Sequence, residues 1–330
     1  MKASGHTSGG SAVWAIAGFY NPVGSRRRIE NYRAFRARLN VPLVTVELAF
    51  DRDFALGPGD ADILVQRRGG DVMWQKERLL NLALAAVPEG CRKIAWLDCD
   101  VIFDRPDWAD DANRQLDRHA VVQLFSRARD LMPGCSPASP DPADAADARD
   151  SLAAAIERGG APEASLSAVQ DGVGRRYARG FAWAARRDLL ERHGFFDECI
   201  VGGGDSAIVA AAYGCLDYVV QRQHLSRQRA ARYLAWAGPF AADAAGRVGV
   251  VDGDIVHLWH GSKEGRQTAD RYRGLSRVDF DPARDIAVSE GGVWTWTSDN
   301  TALHDYVRAY FDARDEDGAG PVPGVQANRR

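Results

Sequence analysis

Three short apolar runs separated by two stretches of helical spacing fill the first hundred residues, and that alternation leaves few folds open. Residues 12–19 are apolar up to Gly18 and open into the turn-like Tyr20-Asn21-Pro22-Val23-Gly24, the pattern of a buried strand ending in a loop. Residues 30–39 carry Tyr32, Phe35 and Leu39 on one helical face, and residues 43–48, Leu-Val-Thr-Val-Glu-Leu, read as a second strand. Residues 74–87 set Leu79, Leu80, Leu82, Leu84 and Val87 on a broad apolar face with Pro88 just beyond, which predicts a helix. Residues 94–97 then form a short apolar strand running straight into Asp98-Cys99-Asp100. Strand, helix, strand, helix, strand begins a parallel sheet with crossover helices. Ligands of such sheets gather at the carboxyl ends of the strands, where Asp98 and Asp100 stand.

The rest of the chain is compatible with one continuous α/β core. Of 330 residues, 45% are hydrophobic and 26% charged, as in a globular protein of one large domain or two ordinary ones. With 42 Lys+Arg against 45 Asp+Glu the net charge is −3, which excludes a broad basic surface for nucleic acid but allows a local basic pocket. No apolar run approaches the roughly 18–20 residues of a membrane span, and residues 1–11 lack the apolar centre of a signal peptide. Five scattered cysteines without a C-x-x-C pair form neither a disulfide framework nor a zinc ribbon, and a reducing cytoplasm fits best. The expected plan is a flexible 1–11, an α/β domain over 12–314 and a flexible tail over 315–330. Within the domain, the Pro-, Ala- and Asp-rich 130–173 is expected as an insertion or mobile loop. Further strands are expected at 180–184 and 255–259, and helices at 151–158, 188–193, 205–213 and 300–314.

Four constellations could carry chemistry. Asp98-Cys99-Asp100 offers two carboxylates one residue apart, an oxygen cage for a hard divalent cation such as Mg²⁺ or Mn²⁺. His257-Leu258-Trp259-His260 could add imidazole, a mixture that suits Mn²⁺. In a straight strand the two histidines face opposite sides, so both reach one ion only if a turn begins near Trp259; otherwise one binds, His260 in preference. Lys263, Arg266, Arg271 and Arg273 follow, positive charge of the kind a diphosphate needs, with Arg271 or Arg273 expected on a solvated helix face. Gly202-Gly203-Gly204-Asp205 permits close approach of a substrate, and Asp205 is open to two roles, helix cap or general base for a hydroxyl. Lys76, in the first turn of the 74–87 helix, could meet phosphate at a helix N-terminus or simply belong to an amphipathic helix.

In this order the segments resemble the GT-A glycosyltransferases, most of all the galactosyltransferase-type and polypeptide N-acetylgalactosaminyltransferase-type catalytic domains. The resemblance runs from about residue 12 to residue 272, broken over 130–173. It rests on Ala17-Gly18-Phe19-Tyr20-Asn21, Trp74-Gln75-Lys76-Glu77-Arg78-Leu79-Leu80-Asn81, Asp98-Cys99-Asp100, Gly180-Phe181 with Gly194-Phe195-Phe196-Asp197, Gly203-Gly204-Asp205, and His257-Leu258-Trp259-His260. It implies a GT-A fold, a single Rossmann-like central sheet, mostly parallel and flanked by helices. It implies metal ligands at Asp100 and His260, with His257 at a second ligand position and Asp98 beside the ribose or donor sugar. Lys76 would reach ribose or phosphate, Phe19, Tyr20, Asn21 and Glu47 would line the base and ribose pocket, and Gly203, Gly204 and Asp205 would face the acceptor. The galactosyltransferase-type enzymes carry two consecutive acidic residues after the glycines, whereas Ser206 follows Asp205 here.

The reading that follows is an Mn²⁺- or Mg²⁺-dependent glycosyltransferase moving a sugar from a nucleotide-diphosphate donor, a UDP-sugar first, to a carbohydrate or other hydroxyl acceptor. Asp205 would take the hydroxyl proton if the reaction inverts. A metal-dependent hydrolase or nucleotidyltransferase built on the same Asp pair, and a non-catalytic carbohydrate- or nucleotide-binding module, are the alternatives.

Overall fold

A computed structural model describes residues 13–170, 174–262, 265–267 and 270–318. The chain opens with β1 (Trp14–Tyr20), α1 (Arg26–Arg38), β2 (Leu43–Ala49), β3 (Ile63–Arg68), α2 (Lys76–Ala86) and β4 (Lys93–Leu97). Next come β5 (Val101–Phe103), α3 (Trp108–Leu116), β6 (Val121–Gln123), β7 (Arg127–Leu131), β8 (Ala145–Asp150), α4 (Leu152–Glu157) and α5 (Pro162–Ser167). The two-residue strands β9 (Val169–Gln170) and β10 (Gly174–Arg175) precede β11 (Ala182–Arg186), α6 (Arg187–His193), α7 (Gly204–Ala212), α8 (Leu216–Arg222) and α9 (Arg227–Ala244). The chain continues with β12 (Val248–Val250), β13 (Asp254–His257), α10 (Arg271–Arg277), α11 (Pro282–Asp285), β14 (Ile286–Val288), β15 (Trp294–Trp296) and α12 (Thr301–Asp312).

The central sheet has seven strands in the order β12-β6-β11-β4-β1-β2-β3. All neighbours are parallel except at β11, which runs antiparallel to both β4 and β6. This is the mostly parallel α/β sheet the sequence predicts. Period-2 alternation feeds a core on each face: Ile16, Tyr20, Ile94 and Trp96 join one, while Ala15, Ala17, Phe19, Ala95 and Leu97 join the other. Gly18 has a packing reason, since a Cβ there would come 2.9 Å from Leu79 Cβ. α2 therefore lies directly against β1, which brings its first turn to the strand ends.

A second sheet, β5-β13-β7-β8, builds the site. In its register Val101 opposes His257 on one side of β13, and His257 pairs with Asp130 of β7 on the other. Asp100, one residue before β5, and two residues distant in sequence thus become neighbours across three strands.

Several expectations shift. α1 begins at Arg26, because Ser25 caps it by accepting from Arg28 N at 3.4 Å. β3 follows no clean alternation in the sequence, and α9, an 18-residue helix, contains Pro239. The described part of 130–173 is built into the fold rather than looped out: β8 pairs with β7, and Leu152, Ala153 and Ala154 of α4 join the core. Its alanine content is what lets a short helix pack closely. The tail also begins later than expected. Glu316 is buried, and Asp317 accepts from Ser25 Oγ (2.7 Å), Arg27 N (2.8 Å) and Arg26 N (3.1 Å), capping α1 from the far end of the chain. Residues 1–12 and 319–330 lie outside the described residues.

Candidate active site

β13 ends at His257, and beyond the strand both histidines come to one side. His260 Nε2 lies 3.2 Å from His257 Nε2 and 3.0 Å from Asp100 Oδ2, and His257 Nε2 lies 3.9 Å from Asp100 Oδ1. One ligand atom from each of Asp100, His257 and His260 falls within a 4.8 Å cluster. The pair of histidines, rather than His260 alone, faces the carboxylate. Leu258 N donates to Asp100 O at 2.8 Å, which fixes the spacing of the two segments.

This arrangement fits a divalent cation. Asp100 Oδ1 is buried yet accepts no hydrogen bond, a state that costs free energy unless a cation or donor satisfies it. Burial alone would raise the Asp100 pKa, but the neighbouring His260, His257, Arg266 and Arg28 outweigh it and hold the group below the usual carboxylate range. Burial, reinforced by Arg266, pushes His260 down to about 4, so its imidazole is neutral and can donate a lone pair at neutral pH. One carboxylate with two imidazoles is a mixed oxygen and nitrogen set open to first-row divalent ions, Mn²⁺ among them.

Asp98 is not part of that cluster. Its backbone N donates to Phe181 O (2.7 Å) and its Oδ2 accepts from Phe181 N (3.2 Å), while the carboxylate forms an ion pair with Lys76. Lys76 also donates to Asp205 Oδ1 at 2.8 Å, so one ammonium joins α2, the end of β4 and the start of α7. Burial would lower the Lys76 pKa, but Asp205 and Asp98 hold it well above the ordinary lysine value. Asp98 itself is pushed up to about 6, by burial first, with Lys76 opposing and Asp205 adding. Glu77, also buried, is pushed up to about 8 by burial, against the pull of Lys76. Asp205 makes no side-chain cap to α7, whose N-cap is Gly203 at φ 115°. It is an acidic residue inside the first turn of α7 rather than the cap residue itself. Gly203 needs that left-handed backbone and the room beside the Tyr272 hydroxyl; Gly204 needs to stay bare because a Cβ would collide with Glu77. Gly180 is likewise tight, with a Cβ placed 2.9 Å from Asp205 Oδ2.

These two groups border an open cleft lined by Phe19, Tyr20, Arg28, Asn31, Trp74, Lys76, Asp98, Asp100 and His260, among others. Phe19 and Tyr20, at the end of β1, are among the lining residues. Asn21 does not line the cleft; it braces the turn after β1 by donating to Ser25 O and accepting from Ser25 N, both at 2.8 Å. Glu47 is also absent from the lining, because its buried carboxylate accepts from Ala55 N (2.6 Å) and Gln66 Nε2 (2.9 Å). Arg266 comes near Asp100 and donates to Gly261 O at 3.3 Å. Arg271 is buried on the Tyr310 and Tyr272 hydroxyls, both 2.9 Å away, rather than solvated. Arg273 is exposed beside Asp270. Lys263 lies outside the described residues.

Sequence reasoning missed several participants. Arg28 reaches the cleft from α1, donating to Tyr20 O (2.9 Å) and to Glu316 Oε1 (2.9 Å), and lies over the Tyr20 ring. Phe181, at φ 77°, holds Asp98 by both backbone groups and leans on the His257 ring, centroids 4.5 Å apart. A non-glycine residue held left-handed beside reactive groups marks a site that the surroundings over-determine. The Asp130 carboxylate supports His257 from behind, and Glu316 stands 3.9 Å from His260 Nδ1. The nearest sequence signal for these four is the Gly180-Phe181 pair.

No protein-family model matches the sequence, and no curated protein matches it significantly. Among solved structures the chain is similar to glucosyl-3-phosphoglycerate synthase from Mycobacterium tuberculosis in complex with Mn²⁺, uridine diphosphate and phosphoglyceric acid. That likeness is 13% identity over 88% of this chain and 87% of the other, with a TM-score of 0.41. It is also similar to the mannosyltransferase PcManGT from Pyrobaculum calidifontis in complex with GDP-Man and Mn²⁺, 16% identical over 96% of this chain and 78% of the other, with a TM-score of 0.40. A third is S. aureus TarS with UDP-GlcNAc, 13% identical over 91% of this chain and 73% of the other, also at 0.40.

Proposed function

We propose that this chain is a metal-dependent glycosyltransferase of the GT-A type, moving a sugar from a nucleotide-diphosphate donor, a UDP-sugar first, to a hydroxyl acceptor. The observation that carries the reading is the convergence of Asp100, His257 and His260, from separate segments, at the edge of a cleft that also presents Arg28 and Lys76. Asp100, His257 and His260 hold the cation, which when bound supplies Lewis-acid stabilisation of the departing diphosphate.

The protein's own groups do the rest. Phe19 and Tyr20 offer apolar surface for the donor at the end of β1, and Arg28 offers a guanidinium to its phosphates. The Asp98 of the Asp-x-Asp triplet works on the donor side without touching the cation, held in place by Lys76 and Phe181. Lys76 holds Asp205 by one oxygen and leaves the other turned toward Gly180, where a hydroxyl of the acceptor can give up its proton. Among the described residues no helix is long and apolar enough to cross a membrane, and the free cysteines suit a cytoplasmic protein.

The test is turnover of UDP- and GDP-sugars with Mn²⁺, comparing the wild type with Asp100→Ala. Release of nucleoside diphosphate that needs Mn²⁺ and falls at least 100-fold in the variant supports the reading. Equal turnover in the two, or release of inorganic phosphate in place of nucleoside diphosphate, removes it.

A further inference from the structure

His257 and Asp130 are register partners on adjacent parallel strands, so their side chains emerge side by side from β13 and β7. The result is a hydrogen bond of 2.8 Å between His257 Nδ1 and Asp130 Oδ1, with both groups nearly sealed from solvent. The other Asp130 oxygen accepts from Arg149 Nη2 at 2.7 Å, a residue of β8, the next strand over. A guanidinium, a carboxylate and an imidazole thus run in line across three strands toward the His260 and Asp100 cluster.

A carboxylate accepts and does not donate, so the hydrogen bond requires the His257 proton to sit on Nδ1. Nε2 is then left with its lone pair, and Nε2 is the atom that faces His260 Nε2 and Asp100. The Phe181 ring lies against the imidazole, its centroid 4.5 Å away and tilted by 43°. Without the carboxylate, the tautomer protonated at Nε2 becomes accessible, and that form cannot ligate through the atom aimed at the cluster.

We infer that Asp130 is the positioning residue of the metal centre: through its bond to Nδ1 it fixes the tautomer and orientation of His257, so that Nε2 is presented to the cation held with Asp100 and His260. The inference rests on the metal-site reading above and extends it to a residue that touches neither metal nor substrate. Partners of this kind, behind an imidazole ligand, commonly change metal affinity about 10- to 100-fold when removed. Arg149 pairs with the other carboxylate oxygen and so holds the group aligned. Asp130 opens the stretch read from composition as an insertion, so the metal centre depends on a segment otherwise expected to vary freely.

The experiment measures Mn²⁺ affinity of the full chain, without nucleotide, by the loss of free-ion EPR signal, for wild type, Asp100→Ala, Asp130→Ala and Asp130→Asn. Each variant is also melted without metal. Asp100→Ala should lose affinity by more than 100-fold. Asp130→Ala should weaken it 10- to 100-fold, and Asp130→Asn, whose amide oxygen can still accept from Nδ1–H, should recover a large part. A purely structural role would lower the metal-free melting temperature without this graded effect on affinity. Asp130→Ala or, should that variant not fold, Asp130→Leu, which fills the space without an acceptor, at fully wild-type affinity while Asp100→Ala loses it overturns the inference alone. Asp100→Ala at wild-type affinity overturns the metal-site reading and the inference with it.

Discussion

Replacing Glu77 by Gln should change how the stability of this protein depends on pH, and the size of the change follows from where the carboxyl lies. Glu77 is 5% exposed, at the start of α2 beneath Gly204. Burial raises its pKa from the ordinary 4.5 to about 8, with Lys76 opposing and Asp205 adding. Between those two values the native state keeps a proton that the unfolded chain has lost, so stability falls as pH rises across the window and levels off above about 8. Asp98, pushed up to about 6 by burial, has the same sign and fades above about pH 7, while His260, pushed down to about 4, acts in the opposite sense up to its ordinary value; the difference between wild type and a Glu77 variant isolates the Glu77 contribution. Two pH units correspond to about 2.5 kcal/mol, a sizeable share of the stability of an ordinary domain. Glutamine has the same shape and no titration. Urea unfolding of metal-free protein at pH 6, 7 and 8 should therefore show Glu77→Gln gaining on the order of 2 kcal/mol relative to wild type between pH 6 and 8. Parallel profiles for the two proteins would refute the argument that this carboxyl is protonated in the folded state.

Other outcomes follow from single contacts. Gly180→Ala keeps an ordinary backbone conformation but pushes a methyl against the Asp205 carboxylate; kcat should fall about 10-fold or more, with a melting temperature within a few degrees of wild type. Asp317→Ala removes three hydrogen bonds at the start of α1 and should cost about 1 kcal/mol, read as a small drop in melting temperature, with Mn²⁺ affinity unchanged. An unchanged melting temperature would mean that the C-terminal segment does not hold α1 in solution.

The central sheet was legible because its signals are local. Buried strands such as Ile94–Leu97 announce themselves by continuous apolar character, and Leu79 to Val87 by helical spacing, so β1, β2, β4 and α2 appear close to where they were expected. β3 was not, since Ile63–Arg68 ends in Gln-Arg-Arg at the sheet edge, where water rather than a core covers one side. The Asp and His motifs were legible for a similar reason: each is contiguous. What composition hid was their supporting groups. Asp130, Glu316 and Arg28 are ordinary charged residues until the register of β13 with β7, and the return of the chain terminus to α1, bring them beside the histidines and the cleft. Glu47 and Asn21 failed in the opposite sense. Both stand at expected positions, yet each carboxylate or amide is consumed by a neighbouring turn. Position along a strand fixes where a residue sits; which partner its polar atoms find depends on loops that periodicity does not describe.

The central claim is that Asp100, His257 and His260 close on a single cation. Anomalous X-ray scattering from crystals soaked in Mn²⁺ addresses it most directly. The account predicts one strong peak within coordination distance of an Asp100 carboxylate oxygen and both imidazole Nε2 atoms, with none between Asp98 and Lys76. A peak bound by Asp98 and Asp205 instead, or no peak at the histidines under conditions in which the protein turns over a nucleotide sugar with Mn²⁺, would contradict it.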